Sequence, residues 1–285
     1  MAMEYGEFKV KEGVYVPDVG IDYPTDDPYA RLLKVQVEDS SQGKYQFDET
    51  FPYLDNSWQY KVNNFFGFFV QWIAAAFWNR THFGVQVRGK KNLKGYRDKL
   101  KNGAMCICNH VYVFDALCVY QAVHKFRKLR IPMYAKHFNG SMSWFMRYVG
   151  GIPVPETMAG MRKFNEAFDE YHRRKDWMLL FPESTRWDYY TPLRPFKRGA
   201  FSMAYKYDLP IIPTVITYRE RKGLYRLFGK KELPCMTIHV GEPILINKEA
   251  NRKEELDRLR AATHSMMLEM AGIEVNPWPA APDVE

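Results

Sequence analysis

Four cysteines in 285 residues are too few for a disulfide framework, and no two stand in a C-x-x-C pair. That argues against a zinc ribbon and a thioredoxin-like redox motif. Cys106 and Cys108 alternate within one apolar run, while Cys118 and Cys235 are far apart in sequence. Buried thiols in a reducing compartment are therefore expected, with no metal site. His82, His124, His137, His172, His239 and His264 share no ligand spacing and read as structural or surface residues. Long apolar runs are also lacking. Phe65–Trp78 would make a helix about 21 Å long, short of a bilayer core about 30 Å thick. The first residues, Met1-Ala2-Met3-Glu4, carry no basic patch and no apolar core, so no secretory leader is expected. Neither an internal repeat nor a nucleic-acid-binding module is recognisable.

What the chain does have is aromatic surface and positive charge. Phe, Trp and Tyr make up 16% of it, and the formal net charge is +8. Rings with a polar tip favour membrane interfaces. The charge favours anionic partners such as acidic headgroups and phosphorylated substrates. The length fits one large domain or one domain with an appendage.

Four regions follow from the pattern. Residues 1–50 form an extension rich in Asp, Glu, Tyr, Pro and Gly that wraps the surface or is partly disordered. Within it, Val14-Tyr15-Val16 and Leu33–Val37 read as extended segments. Residues 51–82 hold a helix whose apolar positions Trp58, Val62, Phe65, Phe66, Phe69, Trp72, Ile73, Ala76 and Phe77 recur at helical spacing. Trp58, Trp72, Trp78, Lys61 and Arg80 suit a helix lying in one leaflet; the alternative is a buried core helix. Residues 83–275 alternate strand and helix and predict one α/β domain, with a mixed, mostly parallel sheet flanked by helices. Residues 276–285 read as a tail.

The most informative stretch is Ala104–Leu117. An apolar run ends in Asn109-His110, and Asp115 follows His110 after four residues. Strand, elbow and helix is the simplest reading, with His110 at a strand's carboxyl end and Asp115 in a helix's first turn. A histidine takes a proton near neutral pH, and a carboxylate in reach fixes its tautomer. No serine or cysteine nucleophile accompanies the pair, so it would serve a nucleophile brought by the substrate. The bland reading is a polar strand end and a helix cap.

Four ordered blocks between about Gly84 and Ile246 give this chain a resemblance to the PlsC-type glycerolipid acyltransferases, the 1-acyl-glycerol-3-phosphate acyltransferases and their relatives. The first is Asn109-His110 with Asp115. Lys136, an aromatic segment around Met142, Trp144, Phe145 and Met146, and Gly150-Gly151 form the second. The third is Phe181-Pro182-Glu183-Ser184-Thr185-Arg186, followed by Phe196-Lys197-Arg198-Gly199-Ala200-Phe201. Leu209-Pro210-Ile211-Ile212-Pro213 is the fourth, and Gly241-Glu242-Pro243-Ile244 resembles the closing turn.

The resemblance implies that His110 is a general base on an acceptor hydroxyl and that Asp115 orients it. It implies that Arg186, with Lys136 and Lys197, binds the acceptor phosphate. Glu183, Ser184 and Thr185 either contact the acceptor or shape the loop. Backbone amides at the elbow would hold the oxyanion. No cofactor is implied; acyl-CoA or acyl carrier protein is the co-substrate. Lysophosphatidic acid or a related lysolipid would be the acceptor, at the cytoplasmic face of a membrane, with peripheral or monotopic attachment. Another acceptor (a lysophospholipid, glycerol 3-phosphate or a lyso-aminolipid) or a non-catalytic lipid-binding protein are the alternatives. The chain departs from the family in three places. Ser184 replaces a glycine, Trp187 replaces a small polar residue, and Pro155-Glu156 stands about where an arginine is expected, leaving Arg162 as a distant substitute.

Overall fold

The computed structural model describes residues 6–32, 45–123, 128–140 and 143–281. Leu33–Val37, His124 and Met142 lie outside the described residues. In chain order the elements are β1 (Lys9–Val10), α1 (Trp58–Ile73), α2 (Asn79–Thr81), β2 (Gln86–Arg88), β3 (Met105–Cys108), α3 (Asp115–Val123), β4 (Leu129–Tyr134), α4 (Ser143–Tyr148), β5 (Gly151–Val154), α5 (Met158–Arg173), β6 (Trp177–Leu180), α6 (Gly199–Tyr207), β7 (Ile211–Arg219), β8 (Cys235–Val240), α7 (Arg252–Ala271) and β9 (Ile273–Val275).

The main sheet runs β2-β8-β7-β3-β6-β4-β5. Every neighbouring pair is parallel except β7 and β8. Parallel strands need cover on both faces, and β3 is buried along its whole length. Met105 and Ile107 face one core, with Phe164, Phe168 and Phe201. Cys106 and Cys108 face the other, with Cys118 and Val119 of α3. Burial raises the thiol pKa of Cys106, Cys108 and Cys118, so they pack as small apolar groups.

Local chemistry sets several boundaries. Thr157 caps α5, its Oγ1 accepting from the Gly160 N–H at 3.0 Å. Asn251 caps α7 by accepting from the N–H groups of Lys253 and Glu254. The sequence suggests a helix from Phe196, yet α6 starts at Gly199. Ahead of it, Phe196 N–H donates to the Ala280 carbonyl and Lys197 N–H to the Pro182 carbonyl, tying this stretch to its neighbours.

Helix α1 continues through a π-helical turn, Ala74–Trp78, into α2. Its buried positions are Asn64, Gly67 and Gln71, followed by Ala75 and Asn79. Asn64 Nδ2 donates to the Tyr148 carbonyl at 2.8 Å, and Asn79 Nδ2 to Gln121 Oε1 at 3.1 Å. A Cβ on Gly67 would lie 2.8 Å from the Tyr148 carbonyl oxygen, so the glycine permits close approach of α4. The outward face carries Phe65 at 68% exposure, Phe69 at 50% and Phe77 at 67%. The core-helix alternative therefore does not hold. Among the described residues no helix is long and apolar enough to cross a membrane.

Both ends of the chain pack onto the connection between β6 and α6. Trp187 Nε1 donates to the Ala30 carbonyl at 2.7 Å, and Tyr23 Oη to the Asp188 carbonyl. Tyr29 Oη donates to the Pro195 carbonyl at 3.2 Å. Of the two fates open for the extension, its part around residues 23–31 wraps the surface as a strap. In the segment read as a tail, Trp278 is buried and donates from Nε1 to Tyr190 Oη.

Candidate active site

The central strand β3 and its neighbour β6 set the site. Ile107 lies opposite Leu180 in a parallel register. Three residues beyond each, His110 and Glu183 leave the sheet side by side. The His110 N–H donates to Glu183 Oε2 at 3.1 Å.

Asp115 begins α3 and is buried. Its Oδ2 lies 2.7 Å from His110 Nδ1. The same oxygen accepts from the N–H groups of Val111 at 3.2 Å and Tyr112 at 3.4 Å, while Oδ1 accepts from Ala116 N–H at 2.9 Å. An ionised carboxylate can only accept, so Nδ1 carries the hydrogen and Nε2 is the basic nitrogen. The imidazole also stacks on Phe181, centroids 4.4 Å apart and planes at 20°. Its side chain keeps 25% exposure. A ring held at one nitrogen and one face is equipped for general acid–base work.

Three of the elbow amides are already engaged and are not free for the oxyanion role expected there. Those of His110, Val111 and Tyr112 already donate to Glu183 and Asp115.

Glu183 is 1% exposed and pairs with Arg194, which is fully buried, at 2.7 Å. Arg194 Nη1 also donates to Thr185 Oγ1 at 2.7 Å and to the Pro28 carbonyl at 3.1 Å. Its Nη2 donates to the Thr185 carbonyl, and its guanidinium lies 4.5 Å from the centroid of the Trp187 ring. Of the two roles open for Glu183 and Thr185, shaping the loop is the one this geometry supports. Arg194 was missed in the sequence: a lone arginine between Pro192 and Pro195 carries no motif. Ser184 adopts φ 65°, the left-handed conformation a glycine takes at no cost. Its side chain is exposed.

Arg186 is 22% exposed, and its Nε donates to Asp188 Oδ1 at 2.7 Å. Lys136 lies in the turn after β4. Lys197 is exposed, with Nζ 4.3 Å from the centroid of the Tyr29 ring. Arg31 brings a second guanidinium, 4.6 Å from the centroid of the Tyr134 ring at the end of β4. His137, read from sequence as structural or surface, belongs to this neighbourhood. Desolvation lowers its pKa, and the charges of Arg186, His110 and Arg31 lower it further. His137 thus lies within electrostatic reach of Arg31 on the strap, Arg186 in the loop after β6 and His110, whereas Lys197 sits over Tyr29. Of the departures, Trp187 is part of the site: it is buried, its backbone N–H donates to the His110 carbonyl at 3.0 Å, and its ring lies against Arg194; Arg162 is exposed on α5.

The acyltransferase family model matches residues 84–217. The 1-acyl-sn-glycerol-3-phosphate acyltransferase of Saccharomyces cerevisiae is 28% identical over 109 residues, 36% of this chain and 35% of that protein. The match thus spans about a third of that relative's length. The crystal structure of the 1-acyl-sn-glycerophosphate (LPA) acyltransferase PlsC from Thermotoga maritima aligns with a TM-score of 0.48 and 17% identity, over 76% of this chain and 84% of that one.

Proposed function

We propose that this chain, whose residues 84–217 match the acyltransferase family model, is an O-acyltransferase that moves a fatty acyl group from a thioester to the free hydroxyl of lysophosphatidic acid. The product is phosphatidic acid. The observation that carries this reading is His110, held at Nδ1 by buried Asp115 and stacked on Phe181.

Nε2 of His110 takes the proton of the acceptor hydroxyl as its oxygen attacks the thioester carbonyl. Asp115 stabilises the imidazolium that forms. Collapse of the tetrahedral intermediate breaks the carbon–sulfur bond, and the departing thiolate receives the proton from His110. The acyl group never resides on the protein. Arg186 binds the acceptor phosphate, because a planar guanidinium matches its oxygens. Lys136 and Lys197 add positive charge, and Arg31 and His137 enlarge that field. The donor is acyl-CoA or acyl carrier protein, both anionic, as the charge balance suits.

The exposed aromatic face of α1 seats the enzyme in one leaflet. Val113 and Phe114, between His110 and Asp115, are exposed at 49% and 42%. Phe114 adjoins Phe83, ring centroids 6.2 Å apart, just beyond the end of α2. The catalytic elbow therefore opens beside the membrane-seated helix, on the cytoplasmic face, where soluble thioesters arrive.

The test is thioester cleavage by purified protein with lysophosphatidic acid and palmitoyl-CoA in detergent. His110→Ala is expected to lower kcat by about 10²–10⁴-fold, and Arg186→Ala to raise the acceptor KM. Undiminished turnover in the His110 variant rejects the base. No turnover with this pair moves the test to acyl carrier protein donors, then to other lysolipids. Silence across that panel favours a lipid-binding protein.

A further inference from the structure

The loop between β7 and β8 has the make-up of a second membrane contact. Leu224 is 76% exposed, Leu227 75% and Phe228 44%. Lys222, Arg226, Lys230 and Lys231 surround them, all exposed. The acids on the same loop are Glu220, which pairs with Lys222 at 2.6 Å, and Glu232. Cations therefore outnumber acids around an apolar tip.

One buried side chain ties this loop to the end of the α1–α2 rod. Arg221 is 5% exposed. Its guanidinium donates to the carbonyls of Leu233 at 2.8 Å, Tyr225 at 2.9 Å and Phe228 at 2.6 Å. It also donates to the His82 carbonyl at 2.8 Å. A Cβ on Gly229 would lie 2.6 Å from that His82 oxygen, so the loop seats directly against the rod. The His82 ring in turn stacks on Trp78, centroids 4.2 Å apart. Trp78 and Phe77 belong to the exposed aromatic face of the rod. The loop thus adjoins the end of that face and adds four cations where the rod itself carries Lys61 and Arg80. Beneath the tip, a cavity of about 450 Å³ is lined by Arg226, Leu227 and Lys231 beside Glu232.

We propose that the 222–231 loop docks on anionic phospholipid, with Leu224, Leu227 and Phe228 in the interface and Arg226, Lys230 and Lys231 on the headgroups. This rests on the membrane seating of α1 argued above and assigns lipid selectivity to a different element. Basic residues near an anionic surface add attraction that decays within a Debye length, so the selectivity is salt-sensitive.

All four native cysteines are free and buried, so Leu227→Cys and Phe69→Cys each supply one accessible thiol for an environment-sensitive dye. The proteins are titrated with vesicles of phosphatidylcholine alone, and of phosphatidylcholine with phosphatidylserine, at low and high salt. The dye on Leu227→Cys is expected to shift to the blue mainly on the anionic vesicles. Lys230→Ala with Lys231→Ala is expected to weaken anionic binding about fivefold per lysine and to leave binding to phosphatidylcholine unchanged. An unshifted Leu227 dye alongside a shifted Phe69 dye overturns the loop and keeps the helix. A shifted Leu227 dye alongside an unshifted Phe69 dye rejects the helix reading and keeps the loop. Equal affinity of the double lysine variant for the two vesicle types, matched by the same ratio in the parent, overturns the lipid selectivity.

Discussion

Helices α1 and α5 are each 16 residues long, and they are built inside out with respect to each other. Helix α5 buries Phe164, Ala167, Phe168 and Tyr171 and turns charged residues outward. Helix α1 buries Asn64, Gly67 and Gln71 and turns aromatics outward. Both stripes follow the same helical spacing, so period alone distinguishes nothing. The difference lies in what each helix faces. Helix α5 folds by removing apolar surface from water. Helix α1 lays Phe68 and Trp72 against the core and adds close approach and amide hydrogen bonds, while Phe65, Phe66, Phe69 and Val70 stay exposed.

The comparison can be broken or sharpened by substitution. Phe168→Ala, at a fully buried position, is expected to cost about 3–5 kcal/mol in urea unfolding, while Phe69→Ala stays within about 0.5 kcal/mol. Equal losses would mean that Phe69 belongs to the packed side of α1 with Phe68 and Trp72. On vesicles the order reverses. Phe65→Ser with Phe69→Ser should lower partitioning at least tenfold, since burying one such ring contributes roughly 1.5–3 kcal/mol; unchanged co-sedimentation would remove the membrane from the account. Gly67→Ala isolates the close approach. Alanine in a helix interior ordinarily gains about 1 kcal/mol over glycine, but here its Cβ would sit 2.8 Å from the Tyr148 carbonyl oxygen. A loss of roughly 1–3 kcal/mol in thermal unfolding is expected, and a gain would show that α4 yields freely. The smallest effect belongs to Asn64→Leu, which removes one hydrogen bond and should cost about 1 kcal/mol by the same measurement.

How much the sequence disclosed follows the distance between partners. His110 and Asp115 stand five residues apart, and strand, elbow and helix were legible from local pattern. The bounds of β8 matched the apolar run Cys235–Val240. The pairing of His110 with Glu183 depends on β3 and β6 being neighbours, which no local pattern states. Arg194 was invisible for the same reason: its partners come from residues 28, 110, 183 and 185. For α1 the apolar spacing left a leaflet helix and a core helix both open, and the inward stripe went unread. Asn64, Gly67, Gln71, Ala75 and Asn79 form a stripe of small and amide side chains, which reads as a contact face only once apolar residues are allowed to be the outside.

The strap has a consequence for how the chain is made. Pro28 and Tyr29 meet partners 166 residues later, at Arg194 and Pro195. At roughly 5–20 residues per second of synthesis, the strap leaves the ribosome about 10–30 s before its seat exists. Its resting place also includes Tyr190, which closes against Trp278 near the chain's far end. The strap is thus made well before the residues that hold it. A nascent chain cannot complete the cationic neighbourhood around His110, because Arg31 reaches Tyr134 on a strap that has nothing yet to hold it. The fold thereby delays completion of this neighbourhood until the segments that seat the strap have been made.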